Sequence, residues 1–232
     1  MSGSAGKDET YDRIHSEIAR DLRPIRPVPS GWIRALFLVP YAVLALVFLL
    51  LVFGLRPDAE DLGGEVLWGF AVLQLLAAYA IFIVALRQAV PGSAVGPSAW
   101  FSVFLLILVM QVGVALWTYR QSPLDVPSDR VYTYGLACFS MMSLLGAVPA
   151  AVAFWLLGRG LPLRPRVAGV LAGLGGGLVA ESVYRTHCAY SHWSHILPWH
   201  GGAVLLLGLV GFYCGVLWEK RRLRRYEHEH LS

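Results

Sequence analysis

The run Ala42-Val-Leu-Ala-Leu-Val-Phe-Leu-Leu-Leu-Val-Phe53 contains no polar side chain and no alternation. A strand of a membrane barrel alternates apolar and polar residues with a period of two. This run therefore reads as helix. Extended to residues 32–55, it is long enough to cross a bilayer core, which takes about 20 apolar residues. Five further segments meet the same test, at about 66–86, 100–119, 132–157, 167–184 and 199–218. The expected fold is an all-α membrane protein, a bundle of six transmembrane helices joined by short loops.

The composition points the same way. Of 232 residues, 56% are hydrophobic and 15% charged; a soluble domain has about 45–50% and about 25%. Mean hydropathy is +0.58. A soluble enzyme, a disordered chain and a disulfide-rich secreted domain are all excluded on these numbers. Three cysteines, Cys138, Cys188 and Cys214, make no disulfide framework. No cleavable signal peptide is expected, because the first apolar run is too long for a signal h-region.

With six spans, both termini fall on one side. Fifteen of the nineteen Lys and Arg lie on that side; Arg56, Arg120, Arg130 and Arg185 lie on the other. The positive-inside rule then puts both termini in the cytoplasm. This asymmetry also accounts for the net charge of +4, so no direct nucleic-acid contact is inferred. Trp32, Trp68, Trp100, Trp117, Trp199 and Trp218 fall near span ends, as interfacial anchors do.

The chain divides into a cytoplasmic tail (1–30), the transmembrane domain (31–219) and a basic cytoplasmic tail (220–232). In the first tail, Tyr11, Ile14, Ile18 and Leu22 recur at helical spacing and make one face of a short amphipathic helix. Pro24 should end it. Two readings stay open: a helix resting on the membrane or the bundle, or a helix-in-groove ligand for a cytosolic protein.

The last outer loop is the other concentration of chemistry. His187, Cys188, His192, His195 and His200 fall within fourteen residues, and imidazole and thiolate are the natural ligands of zinc, copper and related ions. A transition-metal ion is the cofactor these residues would suit, though none is required. Interfacial packing is the bland alternative. Cys138, about two turns into the fourth span, lies at a depth comparable with Cys188. The fifth span carries Gly169, Gly173 and Gly177, a face that lets helices approach closely. Its Glu181 is expected to snorkel or to pair with Arg185. No phosphate-binding loop, metalloprotease signature or buried carboxylate pair is present, so no enzyme is inferred.

Several short motifs occur in a fixed order. Ile18-Ala-Arg-Asp-Leu22-Arg-Pro24-Ile25-Arg-Pro27 precedes the spans. Leu55-Arg56-Pro57-Asp58 closes the first, and Ala89-Val90-Pro91-Gly92 follows the second. Cys138 lies in the fourth, Leu163-Arg164-Pro165 opens the fifth, and His187-Cys188 and Trp199-His200-Gly201 bracket the last outer loop. In this order they resemble the six-helix inner-membrane anti-sigma factors known as negative regulators of sigma F. The resemblance implies sequestration of a cytoplasmic extracytoplasmic-function sigma factor through the N-terminal tail. Its release would follow periplasmic or membrane stress sensed near Cys138 and Cys188. Tyr11, Ile14, Ile18 and Leu22 then become candidate sigma contacts. Cys138 and Cys188 match the family's cysteines, His187 and His200 its histidines, while His192 and His195 look additional. The alternative is a metal- or haem-binding membrane protein with no sigma partner.

Overall fold

The computed structural model describes residues 13, 15–17, 29–90, 92, 96–121 and 124–231. Among them there is no strand, and six helices are long and apolar enough to cross a membrane: Gly31–Phe53, Gly64–Arg87, Phe101–Gln121, Ser128–Gly158, Pro165–Tyr184 and Trp193–Arg224. They are called the first to sixth spans below. In the tail, Arg13 and His15–Glu17 are helical and exposed. Tyr11, Ile14, Ile18 and Leu22 lie outside the described residues.

Two boundaries differ from the sequence expectation, each for a local reason. The first span is not one smooth helix. A turn at Phe37 and Leu38 separates Gly31–Leu36 from Val39–Phe53. Pro40 lacks an amide hydrogen, and its ring crowds the carbonyl four residues earlier. The sixth span starts at Trp193 rather than near residue 199, because Pro198 is absorbed rather than excluded. Trp193–His195 is a short α-helix, Ile196–Gly201 a π-helical turn, and Gly202–Leu231 a continuous α-helix. The wider π turn relieves the clash between a proline ring and the preceding turn. That last helix carries the basic residues from Lys220 onward as its own continuation.

The fifth span is the axis of the bundle. It packs against the second, fourth and sixth spans, and 89% of its most apolar stretch is buried, against 22–39% for the others. Its glycines make this possible. A Cβ on Gly173 would collide with the Leu207 carbonyl oxygen, and one on Gly169 with that of Gly211. Backbone thus touches backbone along the fifth and sixth spans, and the small-residue face is spent inside the bundle. On its other sides the span meets Phe82 through Gly175 and the fourth span's Gly146 and Ala150 through Gly176. Ser182 Oγ also donates to the Ala71 carbonyl at 2.7 Å.

The first span is fastened to the fourth. Tyr41 Oη donates to the Leu145 carbonyl at 2.6 Å, and the buried Arg34 guanidinium donates to the Leu156 carbonyl. Large apolar residues on the outward faces of these helices, such as Leu44, Leu51, Leu144 and Leu209, are exposed. That is how a helix facing lipid differs from one facing water.

Candidate functional site

Four side chains from three segments converge at one end of the bundle. Cys138 comes from the fourth span, Cys188 from the connection after the fifth, and His195 and His200 from the short α-helix and the π-helical turn that begin the sixth. One donor atom of each lies within 4.8 Å of the others, and all four residues are buried. The two sulfurs are 3.9 Å apart, and Cys188 Sγ is 3.6 Å from His195 Nε2. A tetrahedral ion with bonds of about 2.0–2.3 Å would hold its ligands about 3.3–3.8 Å apart. Two sulfurs and two imidazole nitrogens at this spacing form a donor set suited to zinc or copper.

Each donor has an identifiable support. His200 Nδ1 donates to Glu181 Oε2 at 2.7 Å. A carboxylate only accepts, so this bond places the proton on Nδ1 and leaves the Nε2 lone pair toward the thiols. His200 Nε2 has no hydrogen-bond partner of its own. Glu181 is completely buried, with the guanidinium of Arg185 3.7 Å from its other oxygen. Glu181 therefore does not snorkel; the expected pairing with Arg185 is present, and a second partner, His200, lies inward on a neighbouring helix. Trp199, next to His200, lies directly over Gly135, where a Cβ would collide with the indole. That contact seats the start of the sixth span one turn before Cys138 on the fourth.

The Cys188 connection is clamped from the first span's end. Gly54 adopts a positive φ of 77°, a conformation that suits glycine, and turns the chain back into the bundle. Arg56 then makes a bidentate pair with Asp58 at 2.6 and 2.7 Å. It also donates to the Ala189 carbonyl at 2.9 Å and to Ser191 Oγ at 3.2 Å. The Arg56 amide donates to the Thr186 carbonyl at 2.9 Å. Both charged groups are almost fully buried, so the pair fixes residues 186–191 from both sides. Arg185 is held by Thr118 Oγ1 at 3.0 Å.

Of the histidines singled out from the sequence, two stand apart from this group. His187 Nδ1 donates to the Gly54 carbonyl at 3.1 Å, and its ring packs on Phe53 and Tyr184. His192 caps the short helix that follows, accepting from the Ser194 amide, and lies edge-on to Tyr119. His195, which looked additional, is inside the cluster. Tyr184 lies against His200 and Tyr190 against His195, an aromatic wall around the donors. The Cys188 thiol is pushed above its ordinary range by its contact with Cys138 and by burial. Its resting form is the thiol, to be deprotonated when something replaces that proton.

Glu181 and the Arg56–Asp58 pair were not assigned to this site from the sequence. The sequence shows an acid inside a span with Arg185 as a partner, and an Arg and Asp two residues apart, but not that they reach His200, Ala189 and Ser191.

A profile of the family described as "Negative regulator of sigma F" matches residues 18–220. A curated protein, Anti-sigma-F factor NrsF of Caulobacter vibrioides (strain NA1000 / CB15N), is 27% identical over 215 residues, covering 90% of this chain and 96% of its own. No solved structure matches the chain.

Proposed function

The chain belongs to the family of negative regulators of sigma F, and we propose that it is an anti-sigma factor of the bacterial inner membrane with both termini in the cytoplasm. The excess of Lys and Arg at one end of the bundle supports that orientation. Its partner is an extracytoplasmic-function sigma factor, held through Tyr11, Ile14, Ile18 and Leu22 as the apolar face of a short helix. Membership in a family of sigma regulators weighs against a metal- or haem-binding protein with no sigma partner.

The observation that carries the sensing half is the convergence of Cys138, Cys188, His195 and His200. A soft transition-metal ion entering this group displaces the thiol protons and draws the fourth span, the Cys188 connection and the start of the sixth span together. The fifth span meets the fourth and sixth backbone to backbone, so the shift passes to the opposite end as a rigid displacement. There it alters how the tail presents its apolar face. Moving the complex from mostly bound to mostly free takes a difference of about 5 kcal/mol between the two states.

The 3.9 Å sulfur separation favours a second trigger, oxidation. Two thiols yield two protons and two electrons to a peroxide, giving a Cys138–Cys188 disulfide and reducing the peroxide to water or an alcohol with water. The tail half is tested by purifying the full chain from its own host with its bound proteins. Ile18→Glu with Leu22→Glu should abolish recovery of a sigma factor while leaving the chain in the membrane. Undiminished sigma recovery would remove the tail from the account.

A further inference from the structure

At the end of the bundle opposite the cluster, the fourth and sixth spans part around a groove of about 640 Å³. Its walls include Trp155 and Trp218, and its rim carries Arg159, Arg221 and Arg222. Two of the three cations are held in place. The Arg159 guanidinium sits 5.0 Å above the Trp155 ring, and Arg222 donates to the Pro162 carbonyl at 3.1 Å. No carboxylate is among the described residues lining the groove. The nearby Glu219 is committed to Arg166 at 2.6 Å.

Phe154 and Cys214 belong both to this groove and to a second, narrower space. The latter, about 120 Å³, runs between the same two spans, and its floor is the glycine face of the fifth. Ala147 and Ala151 form its open side, and no charged group lines it. Together the two spaces have the layout of an amphiphile: cations and tryptophans at the helix ends, then an apolar slot directed along the helices.

We propose that this groove binds one anionic phospholipid. The phosphodiester lies among Arg159, Arg221 and Arg222, the glycerol region lies against Trp155 and Trp218, and one acyl chain enters the slot past Phe154. Arginine suits this task because its planar fork meets phosphate oxygens in pairs. Tryptophan suits the depth at which ester groups sit. A free phosphate would satisfy the cations but leave the slot empty. An acidic peptide would meet the cations but would lay polar backbone into a crevice without hydrogen-bonding partners. The inference is independent of any sigma partner.

The test uses the full chain in vesicles of phosphatidylcholine with a minority of phosphatidylglycerol, released into native mass spectrometry. The wild type should retain phosphatidylglycerol about tenfold or more above its share of the vesicle. Arg159→Gln/Arg221→Gln/Arg222→Gln should reduce retention to that share. Arg164→Gln/Lys220→Gln/Arg224→Gln, which removes as many exposed charges outside the groove, should leave it intact. Ala147→Leu/Ala151→Leu, which keeps every arginine and fills the slot, should lower retention severalfold. Millimolar inorganic phosphate should not displace the lipid. Unchanged retention in the groove triple variant, equal loss in the control triple, indifference to the slot variant, or displacement by phosphate would each overturn the proposal.

Discussion

The two ends of the bundle differ in how many of their charges they bury. At the end with the sulfurs and imidazoles, Arg56, Asp58, Glu181 and Arg185 are all at most 5% exposed; Arg56, Glu181 and Arg185 bind groups on other segments, Asp58 pairs with Arg56, and Glu60, Asp61, Arg120, Asp129 and Arg130 stay exposed around them. At the end with the termini, Arg159, Arg166, Arg221 and Arg222 are exposed. Among the described residues there, Arg34 is the buried exception, used to fasten the first span to the fourth. Few charges turned inward make a rigid, specific site; many turned outward make an electrostatic surface. Counting charges separates the ends but does not reveal this difference in direction.

Breaking the inward arrangement should produce the largest effect. Arg56→Met leaves Asp58 buried without its cation, and removing one partner of a buried pair costs about 3–5 kcal/mol. Unfolding of the detergent-solubilised chain, followed by tryptophan fluorescence against denaturant, should show that loss. If the midpoint stays within error of wild type, the clamp is not what holds residues 186–191.

A smaller effect sharpens the comparison at the donor group itself. Glu181→Gln keeps the shape but removes the carboxylate that orients His200. Loss of such a partner costs about 10–100-fold in metal affinity. Competition titration with a zinc or copper(I) chelator should find that drop with the helical content unchanged. Equal affinities would make Glu181 a packing residue only.

The smallest effect belongs to the outward end. Arg166 and Glu219 form a 2.6 Å ion pair on exposed side chains, and exposed pairs contribute about 0–1 kcal/mol. Arg166→Gln should therefore shift the same denaturation midpoint barely at all. A loss as large as that of Arg56→Met would erase the distinction between the ends.

The sequence disclosed the fold because span length is a property of unbroken apolar stretches, as 42–53 shows. It missed the turn before Pro40 and the early start of the sixth span because both depend on how a proline is accommodated, not on its presence. For the candidate site, depth along the helices was enough to set Cys138 level with Cys188. It was not enough to choose among four histidines. That choice is made by the short α-helix and the π turn around Pro198, which carry His195 and His200 inward, and by Gly54, whose carbonyl engages His187. Of the two expectations for Glu181, the pairing with Arg185 is present, whereas His200, nineteen residues on, reaches it only through tertiary packing and leaves no sequence signal.

The central claim is that the buried cysteine–histidine group at one end governs sigma binding at the other. The direct measurement is the affinity of the full chain in nanodiscs for the sigma factor that co-purifies with it, with and without stoichiometric copper(I) or zinc. The wild type should lose affinity about tenfold or more on metal addition, within the range of coupling between distant sites. Cys138→Ser/Cys188→Ser should bind sigma equally well in both conditions. An equal metal response in that double variant, or no response in the wild type to metal or peroxide, would contradict the account.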